Sequence, residues 1–257
     1  MSQSENALTD YRQILGINFF VGNCEKAIEL MLKNKGLLVV PSGPGLKDLG
    51  THPKYREALL GADMAITDSA LMVMLWNFIQ HDKVVRVSGL EYINKFLEQP
   101  DIKDSQKVMW IMAGEESSKR NLEWLGLKGI SVPEENVYIA PFYGKNVEDE
   151  VLLERIRKVM PQHIIVTVGG GTQEPLGYYI RKNLDFKPGI HCIGAAIAFL
   201  SGDQVKIPMW ADKLYLGWLI RCLSQPSRYV PRYWEAFRLV PLMLKYRAKL
   251  PDDVSGK

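Results

Sequence analysis

The chain has 257 residues, 47% of them hydrophobic, and a formal net charge of only +3, enough for a full core built as one main domain with an appendage. Cys24, Cys192 and Cys222 are far apart and form no C-x-x-C pair, which excludes a disulfide framework or a cysteine zinc site and fits a reducing cytoplasm. Met1 to Asp10 is polar and lacks the succession of a secretory signal, and no apolar run reaches bilayer-spanning length, so the chain is expected to be soluble or peripheral rather than integral.

In chain order, apolar runs alternate with amphipathic segments, the sequence form of a parallel sheet flanked by helices. Strands are predicted at Ile14 to Ile17, Leu37 to Val40, Met64 to Thr67, Val108 to Ala113, Val137 to Ala140, Ile164 to Val168 and Ile190 to Ile193. Asn23 is positioned to cap a helix carrying Ala27, Ile28, Leu30, Met31 and Leu32, and Pro53 suits the first turn of another ending near Leu60. Further helices are predicted at Ala70 to Ile79, Glu91 to Leu97, Ser117 to Leu125, Val147 to Val159 and Glu174 to Leu184. After Gly202 the pattern changes to helical stretches punctuated by Pro208, Pro226, Pro231 and Pro241. The expected organisation is a Rossmann-like α/β domain over 1–205 and a basic helical appendage over 206–257. There is no internal repeat or low-complexity linker.

Charge supports that division. Lys206 to Lys249 carries nine Lys or Arg against two acids, +7, leaving −4 for the rest of the chain. Trp218-Leu219-Ile220-Arg221, Arg228-Tyr229, Arg232-Tyr233-Trp234 and Lys245-Tyr246-Arg247 mix cations with aromatic and aliphatic residues at helical spacing, a combination suited to an anionic membrane surface. Leu239-Val240-Pro241-Leu242-Met243-Leu244 is more apolar than contact with a nucleic-acid backbone requires, so nucleic acid is not the expected partner. An ordinary terminal helix with solvated charges is the bland alternative.

Four segments offer chemistry at strand carboxyl ends, where open α/β sheets keep their ligands. Val168 leads into Gly169-Gly170-Gly171-Thr172-Gln173-Glu174, a turn that brings backbone N–H groups and a helix start toward a phosphate, although such turns also form for packing alone. Asp68, directly after Ala65-Ile66-Thr67, reads as a general base or as the N-cap of the helix from Ala70. Pro41-Ser42-Gly43-Pro44-Gly45 is a phosphate nest or merely a turn. Arg86, inside Val84-Val85-Arg86-Val87-Ser88-Gly89, is either a surface residue of an edge strand or a cation with a carboxylate or phosphate partner. A Walker loop and a first-strand G-x-G-x-x-G are absent, which lowers phosphate-binding ATPases and dinucleotide oxidoreductases. The four histidines are scattered singly and there is no D-x-D, so neither a metal nor a cofactor is indicated.

In order, Thr67-Asp68, Arg86-Val87-Ser88-Gly89, Gly169 to Glu174, Gly194 to Gly202, Trp218 to Arg221 and Gln225-Pro226-Ser227-Arg228 resemble the WecG/TagA/CpsF family of bacterial glycosyltransferases over roughly Ile14 to Arg232. The resemblance implies a Rossmann-like fold and inverting, metal-independent transfer from a UDP-sugar to a lipid-linked acceptor at the cytoplasmic membrane face, in cell-surface or exported polysaccharide synthesis. It implies Asp68 as base, and Arg86 and Gln173 at the donor, alongside Ser42, Gly43, the Gly169–Gly171 turn and Glu174. It also implies Arg221, Arg228 and Arg232 at the diphosphate or acceptor. The chain departs from the family at Ser69 (usually Gly), Gly43 (usually Asn) and Ala198 (usually Asp), changes that bear first on the donor sugar. These departures motivate a rival reading, a catalytically silent scaffold of a polysaccharide-assembly complex. Nothing in the pattern excludes an oligomer.

Overall fold

A computed structural model describes residues 10–144, 146–194 and 196–255. The polar segment before Asp10, and Ala195 in the Gly194 to Gly202 stretch, lie outside the described residues. The chain opens with an antiparallel hairpin, β1 (Tyr11–Ile14) and β2 (Ile17–Phe20). There follow α1 (Cys24–Asn34), β3 (Gly36–Val39), α2 (Gly43–Leu46), α3 (Pro53–Leu60), β4 (Met64–Ile66), α4 (Ala70–Gln80), α5 (Gly89–Phe96) and α6 (Pro100–Lys103). Next come β5 (Val108–Met112), α7 (Glu115–Leu127), β6 (Val137–Ile139), α8 (Glu150–Val159), β7 (His163–Val166), α9 (Gln173–Lys182) and β8 (Gly189–Cys192). The remainder is helical: α10 (Ala196–Ser201), α11 (Met209–Lys213), α12 (Gly217–Ser224), α13 (Pro226–Ala236) and α14 (Leu239–Tyr246).

The strands form one sheet in the order β1-β2-β4-β3-β8-β7-β5-β6, parallel at every step except the hairpin. Alternation along each strand feeds two apolar layers, as expected for a parallel sheet covered on both faces. Leu37, Val39, Met109, Ile111, Ile164 and Val166 join one layer with residues of α3, α4, α8, α9 and α14. Leu38, Val108, Trp110, Met112 and Ile165 join the other with α1, α5 and α10. The expected α/β sheet is therefore present, and the carboxyl ends of its neighbouring strands β4, β3, β8 and β7 open on the same edge.

Two local expectations are corrected. Ile14 to Ile17 is not one strand but the turn of the hairpin, with Leu15 and Gly16 at φ of 51° and 79°, the two-residue geometry that matches strand twist. The apolar side chain of Leu15 hid that turn. It is fully buried, and the turn's N–H groups donate to Arg247 O at 2.7 Å and Ala248 O at 2.9 Å from the far end of the chain. Val84 to Ser88 forms no strand. Side chains replace the ladder there: Asn77 bonds both the N–H and the C=O of Val84 at 2.9 Å, while Thr67 Oγ1 donates to Val85 O at 2.8 Å and accepts from Val87 N at 3.0 Å.

The helical carboxyl-terminal segment divides in two. In α14, Leu239 and Met243 are fully buried in the same layer as the sheet residues. In contrast, Trp210, Leu214, Trp218, Leu223, Val230, Trp234 and Phe237, all before α14, are exposed. Among the described residues no helix is long and apolar enough to cross a membrane.

Candidate active site

The strand ends and the facing helices α12 and α13 enclose a cavity of about 530 Å³. Ser42 and Gly43 follow β3, Asp68 follows β4, Gly169 and Gly170 follow β7, and Gly194 follows β8; all line it, with Gln173 and Glu174 from the start of α9. Arg221, Arg228 and Arg232 line the opposite wall. Arg86 lines it too, so of the twelve residues expected to act at the site Gly171 alone is absent from the lining.

At Asp68 the cap reading is overturned by its neighbour. Ser69 Oγ accepts from Met72 N at 3.2 Å and caps α4, leaving the Asp68 carboxylate for other partners. Asp68 Oδ1 accepts from Gly89 N at 3.0 Å and from Arg86 Nη2 at 3.3 Å. Its Oδ2 has no hydrogen-bond partner among the described residues, and the side chain is 27% exposed. The first turn of α5, capped by Ser88 through Glu91 N, thus fixes one oxygen and leaves the other available.

Arg86 is a bridge. Its Nε donates to Asp68 O at 2.6 Å, Nη1 to Asp212 O at 2.8 Å and Nη2 to Asp212 Oδ1 at 3.0 Å. Ser88 Oγ closes the arrangement with a short bond to Asp212 Oδ2. Burial works against the guanidinium's charge, but Asp68 and Asp212 beside it raise its pKa above the usual arginine value. Asp212 went unnoticed in the sequence. It is one of only two acids between Lys206 and Lys249, and an isolated acid in so basic a segment was the signal available.

The glycine turn is not packed for its own sake. A Cβ at Gly169, Gly170 or Gly171 would meet nothing within 4 Å, so protein packing does not demand glycine there; at Gly171, φ of +88° does. Glu174 Oε2 accepts from Gly171 N at 2.8 Å and Glu174 Oε1 from Gln173 Nε2 at 3.1 Å. The α9 entrance is therefore already occupied by a carboxylate. Burial pushes Glu174 up to about 6, against hydrogen bonds that lower it. Gln173 Oε1 is buried with no partner among the described residues.

Across the cavity the charges are reversed. Among the described residues Arg221, Arg228 and Arg232 take part in no ion pair. Arg221 stacks over Phe199 at 4.3 Å, donates from Nη1 to Tyr233 Oη at 2.9 Å, and has a buried Nε without a partner. The residues that depart from the family's pattern also have physical places. A Cβ at Gly43 would lie 3.0 Å from Ser69 Oγ, so these two departures are in contact, while Ala198 is buried and, unlike Ala196 and Phe199, does not line the cavity.

A mostly parallel sheet with a carboxylate and arginines without counter-ions in one cavity at its strand carboxyl ends is an arrangement suited to an α/β group-transfer enzyme. Residues 12–253 match the model of the glycosyl transferase WecG/TagA/CpsF family, and the chain belongs to that family. It is 23% identical over 210 residues, 78% of each chain, to a Bacillus spizizenii protein named N-acetylglucosaminyldiphosphoundecaprenol N-acetyl-beta-D-mannosaminyltransferase. A Staphylococcus aureus protein of the same name is 22% identical over 238 residues, covering 89% of this chain and 90% of the relative.

Proposed function

We propose that this glycosyltransferase moves a sugar, with inversion, from a UDP-linked donor to a polyprenyl-diphosphate-linked saccharide during cell-envelope polysaccharide synthesis. The observation that carries the reading is the presence in one cavity of the free Asp68 Oδ2 and of Arg221, whose guanidinium has no counter-ion among the described residues. An inverting transfer needs a base for the acceptor hydroxyl on one side and positive charge for the departing diphosphate on the other. Asp68 takes the acceptor proton. Arg221, Arg228 and Arg232 balance the diphosphate, a role that here calls on side chains rather than a metal. Glu174 and Gln173 face donor hydroxyls, because a buried carboxylate repels phosphate, and the Ser42-Gly43 and Gly169-Gly170 loops complete the donor wall. Arg86, bound by two carboxylates, acts on the donor through the shape it gives this wall.

The exposed Trp210, Trp218, Trp234 and Phe237 alternate with Lys213, Arg228, Arg232 and Arg238, which supports docking of this segment on the anionic inner face of the cell membrane, where such an acceptor resides. The relatives' names make N-acetylmannosamine transfer to diphospholipid-linked N-acetylglucosamine the first reaction to try. A panel of UDP-sugars with a prenyl-diphosphate-linked acceptor, followed by UDP release, tests it. Acceptor-dependent release with one donor is expected. Saturable UDP binding without turnover across the panel would favour the silent-scaffold reading, which the changes at Gly43 and Ala198 motivate.

A further inference from the structure

Tyr233 stands beside Arg221 without a task in the scheme above. Its Oη accepts a hydrogen bond from Arg221 Nη1 at 2.9 Å, so its own hydrogen is turned elsewhere, and among the described residues it meets no acceptor. The ring is held by Trp218 edge-on at 6.3 Å and by Tyr229 at 6.5 Å, and Tyr233 lines the cavity. Burial and the nearby Asp68 raise its pKa above the ordinary tyrosine value, outweighing Arg221 and Arg232, so at neutral pH it is an O–H donor. Arg221 Nε, buried and unpartnered, gives a second free donor next to it. Two unsatisfied donors of this kind, in a wall whose arginines lack counter-ions, call for an anionic acceptor.

We propose that Tyr233 is a binding residue for the terminal phosphate of UDP, donating its hydroxyl hydrogen to a phosphate oxygen while Arg221 holds the ring oxygen in place. The proposal rests on the reading of the cavity as a UDP site. The buried carboxylate Glu174 lines the sheet side of the cavity, so the phosphate farthest from the nucleoside is directed to the arginine side. That phosphate also gains charge when the sugar departs, where a fixed donor acts most strongly.

Calorimetry of the full chain with UDP, UMP and uridine tests this. Tyr233→Phe should weaken UDP about tenfold, the loss of one hydrogen bond to a charged group, and leave UMP and uridine within about twofold. The ratio of UDP to UMP affinity within one variant does not depend on the fraction folded, so a partly unfolded preparation still reports. Arg221→Lys keeps a charge but loses the fork that fixes Tyr233, and adding Tyr233→Phe to it should cost less than about threefold in UDP affinity. Equal losses for all three ligands would make Tyr233 a packing residue and overturn the proposal. Unchanged UDP binding in Tyr233→Phe would overturn it while leaving the UDP site intact. A wild-type chain that binds UDP no better than uridine would instead bring down the UDP reading and this proposal together.

Discussion

The two walls of the cavity are built on opposite plans. On the sheet side the functional groups are held mainly from within the chain: Ser69 caps α4, Gly89 and Arg86 hold Asp68 Oδ1, and Gly171 binds Glu174, with Asp68 Oδ2 and Gln173 Oε1 left without partners among the described residues. On the helical side Arg221, Arg228 and Arg232 have no carboxylate partners among the described residues, and Trp210 and Trp234 are exposed. A wall satisfied from within holds its geometry before any ligand arrives, which catalysis by fixed groups requires. A wall left unsatisfied has donors to offer a ligand. Arg86 and Asp212 join the two, so the prepared wall and the waiting wall share one buried ion pair.

The largest effect should come from the prepared wall. Asp68→Asn keeps an oxygen for Gly89 and Arg86 but loses the base, and should cut turnover about a thousandfold with UDP affinity nearly unchanged. Turnover close to wild type would remove Asp68 from the chemistry. Asp212→Ala tests the joint: it removes the Oδ1 partner of Arg86 Nη2 and the Oδ2 partner of Ser88, leaving the buried guanidinium with Asp68 as its one carboxylate, and should cost about 3 kcal/mol in urea unfolding. An unchanged midpoint would mean that the walls are independent. On the waiting wall, Trp210→Ser with Trp234→Ser should reduce binding to anionic vesicles about fiftyfold, since both rings are exposed and lie outside the cavity lining. The urea midpoint should stay put, and unchanged co-sedimentation would place the membrane contact elsewhere.

The smallest effect concerns the one strained feature of the prepared wall. Glu174 has a folded pKa of about 6, above its ordinary value of 4.5, so the native state binds the extra proton and stability falls as pH rises between those values. Glu174→Gln should therefore stabilise the chain by about 2 kcal/mol at pH 8 and by almost nothing at pH 4. Gln173 can turn its orphan Oε1 to the new amide. Destabilisation at pH 8 would show that the carboxylate, not its burial, holds the turn together.

What could be read from the sequence was what lies contiguous in it. A buried strand followed by its own turn announces both the edge of the sheet and the residue placed there, which is why Ser42, Asp68 and the Gly169 turn are found on one rim. What escaped depends on chain meeting chain. Asp212 lies 126 residues from Arg86, and no local pattern relates them. His163 and His191 look solitary, yet adjacent strands bring His163 Nδ1 within 3.1 Å of His191 Nε2, with Tyr92 Oη 3.0 Å from the other nitrogen. Gly189 beside them leaves the room, since a Cβ there would come within 2.6 Å of His163 Nδ1. Burial drives His163 down to about 4 and His191 well below the usual histidine value, so the pair is neutral core rather than site. The separation of α14 from the exposed helices before it also escaped, because Leu239 and Leu223 look alike until one of them meets the sheet.

The bonds from Arg247 and Ala248 to the hairpin turn, with Val254 N donating to Gly50 O at 2.8 Å, make the exposed helices a span tied at both ends. A free tail must surrender much of its freedom each time it folds back over a cavity. A span with fixed ends has lost most of that freedom when the chain folds, so its local concentration over the cavity is high with or without a bilayer. The chain's own closure is then what keeps Arg221 at the cavity.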